Sequence, residues 1–480
     1  MLSAVTGKSG SLITEFGKSG ALSFSPPGAT GSTTVSGLIS APHDTFIAVG
    51  SASDRGKIGI FLSRYRLADG AVAPMRGYQG TVFYSPREGV LNEVTAGTPC
   101  DWNVVAAKAN EAVGKVIVLS HIQLGGTSVG LGLCSYNQDG TYDKNFGFRK
   151  AGALGLNNIT PTALAIQNDG KILVGGSSAA DTHGNNAFTL IRYTQNGMLD
   201  GSFGKGGVVR FCPFPAAQQR IYGIAVQEDG KIVTTGVVTA GSVFAIVTCR
   251  FNANGTLDKT FNSVGPFASQ GYAVATPGDA GLAVAFSVAL QKDRKIIVAG
   301  YAKVSSMPSQ EQDMVAYDPT ATGDDSTKTQ LIRYKDASSA TLALVLLCYN
   351  EDGTRDETFG QGNSGMVLTK IGEWGTMPFA VATQSDGKIV VAARATFYDE
   401  QSNFLETFAL ARYTPSGELD SSFDSAREGS SHIPGVTIMA VGRDAMPQSL
   451  LLSVDKITVG GYAINDDRGF YDGVIAQCAR

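Results

Sequence analysis

The chain has 480 residues and a formal net charge of −4, with no basic or acidic block. That balance excludes a nucleic-acid stripe and a polybasic membrane patch, and the longest apolar run, Leu342 to Tyr349, is far too short to span a bilayer. Glycine supplies 59 residues, nearly double its usual share of about 7%, while charged residues make up 17% against a usual ~25%; many turns and few charges point to an all-β protein with tight hairpins.

The first recognisable segment, Gly10 to Gly17, reads as the tail of a repeated unit, with Gly20 to Phe24 as that unit's fourth strand. A first whole unit then covers 37–90, with Phe46 to Gly50 as a strand and Arg64-Tyr65 before Asp69-Gly70. A second covers 91–155, with Lys115 to Leu119, Tyr136 before Asp139-Gly140, and Asp143 with Phe146. The third, 156–213, is the clearest. A strand of alternating apolar residues ends in Gln167, and the Asp169-Gly170 turn supplies the positive φ that a tight hairpin needs. Lys171 to Val174 returns as a β-branched strand. A third strand ends in Arg192-Tyr193 before Asn196-Gly197, and Leu199-Asp200 with Phe203 leads through a Gly-rich link to a fourth strand, Gly207 to Phe211.

The fourth unit, 214–275, repeats this with Asp229-Gly230, Arg250-Phe251, Asn254-Gly255, Leu257-Asp258 and Phe261. The fifth, 276–369, has Asp293-Arg294 in place of AspGly and an insertion at 303–340. The sixth, 370–430, carries Asp386-Gly387, Arg412-Tyr413, Leu419-Asp420 and Phe423. The last begins at 431, keeps Asp455 to Gly461, and runs to Arg480, which aligns with Arg192, Arg250 and Arg412. Gly170 to Gly230 is 60 residues and Phe203 to Phe261 is 58; periods this long with four strands each mean propeller blades or a β-rich array. A unit split between 431–480 and 10–36 favours the ring, because closure removes the edges that an open array exposes. The expected architecture is one domain, 1–480: a seven-bladed β-propeller of four-stranded blades, closed by the N-terminal strand completing the C-terminal blade.

The stretches GlnAsnAspGlyLysIleLeuVal (167–174) and ArgTyrThrGlnAsnGlyMetLeuAspGlySerPheGly (192–204), with counterparts at 226–261 and 384–423, resemble the delta-60 repeat, a bacterial family that forms β-propellers. The resemblance implies a fold and brings no catalytic residues with it.

Few residues invite a chemical reading. Arg192/Asp200, Arg250/Asp258 and Arg412/Asp420 recur unit by unit, as a pair inside each blade would, the planar guanidinium suiting a carboxylate; they are read as structural. Cys348 faces Asp356, and Ser135 faces Asp143, where an Arg would be expected. The AspGlyLys turns lack the GxxxxGK[ST] spacing of a phosphate cradle. Asp318 to Asp325 lacks the spacing and closing Glu of a calcium loop. His43, His121, His183 and His432 are scattered, without a metalloprotease or triad signature. The six cysteines form no CxxC pair and read as small buried hydrophobes. No cofactor, metal or catalytic residue is assigned.

Three irregular segments remain: the fifth unit's insertion, with Met307, Met314 and Tyr317; the extension Thr396 to Phe404, with Phe397, Tyr398 and Phe404; and the leader Pro86 to Asn110, with Trp102. Long loops on rigid scaffolds carry binding, so these seven side chains are the candidate contacts. The expected function is a non-enzymatic, monomeric scaffold that binds another protein through irregular loops on one face. The alternatives are a lectin-like propeller for glycans or small ligands, and a hydrolase or lyase with its site at the central mouth. Neither nucleic acid nor membrane insertion is expected. No signal peptide is visible, so the chain reads as soluble, cytoplasmic or exported by a signal not seen here.

Overall fold

The computed structural model describes residues 9–75, 80–84, 100–124, 127–146, 149–150, 159–179, 186–215, 217–264, 267–305, 341–360, 362, 364–372, 374–398, 404–423, 433–439 and 441–480. Among them the chain is all-β, with no α-helix. Its strands follow one another as antiparallel neighbours, four to a unit. One sheet orders Thr33–Ala41, Thr45–Asp54, Lys57–Arg66 and Thr81–Tyr84; the next Cys100–Asn110, Lys115–Leu124, Thr127–Asn137 and Arg149–Lys150. Then come Thr160–Ile166, Ile172–Ala179, Asn186–Tyr193 and Val208–Phe211, followed by Gln218–Val226, Ile232–Ala240, Val243–Phe251 and Tyr272–Ala275. Ala283–Leu290, Ile296–Val304, Thr341–Tyr349 and Met366–Thr369 make the fifth unit, and Gly375–Thr383, Ile389–Tyr398, Phe404–Tyr413 and Val436–Met439 the sixth; one parallel pair, Leu342 with Gly375, joins these two into a single eight-stranded sheet. The last sheet holds Arg443–Leu452, Lys456–Asn465 and Phe470–Ala479. Its fourth member is Ala21–Phe24, antiparallel to Phe470–Ala479 with Ala21 opposite Ala476 and Phe24 opposite Gly473.

The first strand of each unit is its innermost. These seven strands contact one another in succession, and Arg443–Leu452 in turn contacts Thr33–Ala41. Each carries an extra residue that shifts the register at an equivalent place, Ser36, Val105, Thr162, Tyr222, Phe286, Phe379 and Gln448, and Arg443–Leu452 has a second shift between Arg443 and Met446. A bulge bends a strand and turns a side chain out of the ladder, and all seven extra residues line one central cavity. Because strands alternate in direction, the AspGly and AsnGly turns gather at one face. The links from second to third strand and from one unit to the next leave at the other, which is called the mouth face below.

Adjacent units are locked by a recurring contact on the turn face. In five units the buried Phe three residues past the Asp, or past the residue in its place, sits under the turn glycine of the following unit. A Cβ on Gly197 would lie 2.7 Å from Phe146, on Gly255 2.9 Å from Phe203, on Gly353 2.5 Å from Phe261 and on Gly417 2.9 Å from Phe359. Phe16 meets Gly70 in the same way, 3.0 Å from the Cβ position. These turns therefore need glycine twice over, for positive φ and for the ring that occupies the space of a side chain. The segment before Ala21 is also held: Gly10 N donates to Ala479 O at 2.9 Å, Ile13 N to Gln477 O at 3.1 Å, and Thr437 Oγ1 to Gly10 O at 2.9 Å.

Candidate functional site

The recurring charged groups lie on the turn face and act within the scaffold. Arg192, Arg250 and Arg412 each place Nε 2.8 Å from a carboxylate oxygen of Asp200, Asp258 and Asp420, with all six residues buried. Each guanidinium lies over the unit's Phe ring, at 4.4 Å for Phe203, 4.8 Å for Phe261 and 4.6 Å for Phe423. It also reaches the next unit: Arg192 donates to Ala253 O, Arg250 to Glu351 O, and Arg412 to Ser9 Oγ at 2.7 Å. The other carboxylate oxygen caps the turn that follows, Asp420 Oδ1 accepting from Ser422 N at 3.1 Å and Ser422 Oγ at 2.7 Å.

A third partner was missed in the sequence, the Lys of AspGlyLys. Lys388 stands 2.9 Å from Asp420, and Lys231 3.6 Å from Asp258. In the units that lack the Arg, the Lys holds the carboxylate itself, Lys295 at 2.8 Å from Asp356 and Lys115 at 3.1 Å from Asp143. Burial pushes the Asp420 carboxyl upward, but hydrogen bonds from Ser422 and Lys388 and the charge of Arg412 outweigh it and hold the group well below the usual carboxylate range. Asp143, Asp200, Asp258 and Asp356 are depressed by the same balance. Cys134, Cys249, Cys348 and Cys478 are buried in the sheets, and burial pushes the Cys134 thiol up to about 12, which keeps it inert.

The mouth face is chemically different. The central cavity has a volume of about 290 Å³. At its rim three aromatic bulge residues adjoin, with Tyr222 to Phe286 centroids 5.0 Å apart and Phe286 to Phe379 5.4 Å. Tyr301 stacks on Phe286 at 5.8 Å, and Arg220 approaches Tyr222 at 6.0 Å. All four rings are half-buried. Arg394 pairs with Glu406 at 2.8 Å and touches Met377 Sδ at 3.0 Å. Tyr462 and Tyr471 meet edge to face at 5.0 Å. Deeper in, Lys108 is the single charged side chain among the described residues that line the cavity. Among the described residues no group of three or more His, Cys, Asp or Glu is placed to hold a metal.

The structure separates the candidate contacts. Trp102 is corrected: it lies on Cys100–Asn110, a regular strand rather than an irregular leader, with its ring fully buried against Ile39, Val49 and Ile122. Its alternating neighbours Val104 and Ala107 share that core, which is why the segment forms a strand and the indole cannot face a partner. Phe397 packs partly buried on the core beneath it. Tyr398 and Phe404 pair as the ends of the hairpin between Ile389–Tyr398 and Phe404–Tyr413. Met307, Met314, Tyr317 and the Asp318 to Asp325 segment lie outside the described residues. An exposed aromatic that the sequence reading passed over is Trp374, 42% exposed at the start of the sixth unit. Trp374 O accepts from Thr341 Oγ1 at 3.0 Å and Trp374 N donates to Thr396 O at 3.1 Å, so the indole stands between the base of 306–340 and the base of the 398–404 hairpin. Its only signal was a large aromatic in a short Gly-flanked link.

The model of a β-propeller domain of unknown function (DUF5122) matches residues 167–203, 227–261 and 384–423. No curated protein matches the chain. Among solved structures it is similar to Drosophila Semaphorin 2a at 9% identity (98% of this chain, 76% of that one, TM-score 0.44). It is similar to polysaccharide lyase Uly1 at 8% identity (100% and 94%, TM-score 0.42) and to a GH43 endo-arabinanase from Bacillus licheniformis at 11% (66% and 92%, TM-score 0.31). The three matched segments are β-propeller repeats, and the described strands group four to a unit on either side of them.

Proposed function

We propose that the chain is a single seven-bladed propeller of delta-60-type repeats, and that it serves as a non-enzymatic, monomeric scaffold binding another protein through its mouth face. The succession of inner-strand contacts back to Thr33–Ala41, and the pairing of Ala21–Phe24 in the last sheet, support the closed ring. The observation that carries the binding reading is Trp374, a half-exposed indole between the bases of 306–340 and 398–404. Tryptophan is enriched among the few residues that dominate protein interfaces, where truncation costs about 2 kcal/mol or more. On the opposite face the described residues form tight turns, several of them held by ion pairs.

The test is affinity capture from cell extract with three proteins of matched thermal stability: the native chain, Trp374→Ala, and a chain with 306–340 replaced by a short GlySer link. A defined partner held by the native chain and lost by both variants supports the scaffold; equal capture by all three refutes this face. The aromatic rim favours a second reading, a glycan or small ligand at the mouth, because Tyr222, Phe286 and Phe379 present ring faces beside Arg394 and Glu406. A hydrolase or lyase has least support, since no carboxylate or imidazole is among the described residues lining the cavity.

A further inference from the structure

The central cavity contains an electrostatic imbalance that the interaction surface does not use. Lys108 lies on Cys100–Asn110, three residues past the bulge at Val105. The aligned positions of the other inner strands hold Ile39, Ala165, Ala225, Ala289, Ala382 and Leu451. A repeat that elsewhere places an aliphatic side chain here has placed an ammonium group. Its side chain is exposed to the cavity space, and partial desolvation by the enclosing strands lowers its pKa. Among the described residues lining the cavity there is no Asp or Glu, and Tyr222 is the only other titratable group. Among the described residues Lys108 Nζ has neither a hydrogen bond nor an ion pair.

A second donor faces the same space. Ser36 Oγ donates to Val104 O at 2.9 Å and stands 3.1 Å from the Gln448 side-chain amide. A hydroxyl has one proton, so in either amide orientation at least one Gln448 N–H is unspent. Ser36, Lys108 and Gln448 come from the first, second and last units, the first lying between the other two at the cavity wall. Among the described residues the space thus offers N–H donors and one cation, and no anion. An ammonium that faces an open cavity with no anion on the described wall attracts an oxyanion, and charge-assisted hydrogen bonds make such a contact strong.

We propose that the central cavity is a binding site for a small oxyanion, a carboxylate or phosphate, held by Lys108 Nζ and the Gln448 amide. The aromatic bulges Tyr222, Phe286 and Phe379 line the same cavity, so the anion is either a free inorganic ion or the carboxylate of a ring-bearing ligand. The site is independent of the protein-binding surface and does not fail with it.

The experiment is titration calorimetry of the full chain with inorganic phosphate and, separately, with glucuronate, at constant ionic strength. Saturable one-site binding of either is expected, weakened at least tenfold by Lys108→Met, several-fold by Gln448→Leu, and partly restored by Lys108→Arg. Tighter binding of glucuronate identifies the ring-bearing ligand; equal or tighter binding of phosphate identifies the free ion. Absence of saturable heat with both probes, or unchanged binding in Lys108→Met, overturns the site. Should Lys108→Met fail to fold, the Gln448→Leu and Lys108→Arg titrations decide alone, and equal affinity of Gln448→Leu with the native chain overturns it.

Discussion

Arg250 does four things at once: it neutralises Asp258, lies over Phe261, hydrogen-bonds Thr260, and reaches the carbonyl of Glu351 in the next unit. Removing one partner of a buried pair leaves the other charge uncompensated, at a cost of about 3–5 kcal/mol. Lys231 stands 3.6 Å from the same carboxylate, so Arg250→Ala should fall near the lower end, about 3 kcal/mol by denaturant unfolding; an unchanged midpoint would remove the pair from the stability of the fold. Acid should act through the same groups. Asp143, Asp200, Asp258, Asp356 and Asp420 are all depressed in the folded chain. In the unfolded chain they titrate near pH 4, so the folded state binds fewer protons. Their stabilisation is complete above that range and is lost as pH falls through the folded values. The thermal midpoint should drop steeply below about pH 4, and Asp420→Asn, already lacking one such group, should drop less. A slope identical to the native chain's would contradict this. The Arg and Asp were legible because they repeat at fixed spacing beside Phe. The Lys was not, because it repeats next to a turn that accounts for it locally; only the units with Cys348 and Ser135, where a carboxylate lacks its Arg, pointed to another cation.

At the scale of the element, turns carry the information. Gly170, Gly230 and Gly387 occupy φ values of 78°, 82° and 84°, while the equivalent Arg294 is forced to 68°. A side chain there costs about 1–2 kcal/mol, and its exposed pair with Glu351 at 3.2 Å returns little. Arg294→Gly should therefore stabilise the protein by about 1 kcal/mol, read from the thermal midpoint; a loss of stability would mean that the Glu351 pair outweighs backbone strain. A second pair of variants separates conformation from packing. Gly197 and Gly206 both have positive φ, but a Cβ on Gly206 meets nothing within 4 Å while one on Gly197 meets Phe146. Gly197→Ala should cost about 1–3 kcal/mol more than Gly206→Ala, and equal costs would deny the ring its role as a lock between units. The hairpins were readable because AspGly and AsnGly name their own geometry. The ring of bulges was not, since one extra residue in an apolar strand leaves no compositional trace. Trp102 was misplaced for a related reason: its strand follows a long leader, and aromatic content by itself does not distinguish a core ring from an exposed one. Lys108 was within reach, had the inner strands been aligned on Asn110, Gln167, Gln227, Gln291 and Gln384.

Over the whole molecule, the sheet of the last unit depends on Ala21–Phe24 to cover the edge of Phe470–Ala479. Deleting residues 1–25 should uncover that edge together with the pocket that Phe16 fills. Exposed strand edges template association, so light scattering should show oligomers or aggregates and the thermal midpoint should fall. A monodisperse deletion variant with an unchanged midpoint would show that the strand is dispensable. The same pairing sets a schedule for synthesis. Phe24 leaves the ribosome long before Gly473, its partner, has been made, and at about 5–20 residues per second the interval is roughly 20–90 s. Throughout that time a short apolar strand waits without a ladder while six units form behind it. That joint is thus among the last contacts to arrive, and the nascent chain is at its most vulnerable to a chaperone, a protease or a neighbouring ribosome's product just before Gly473 emerges.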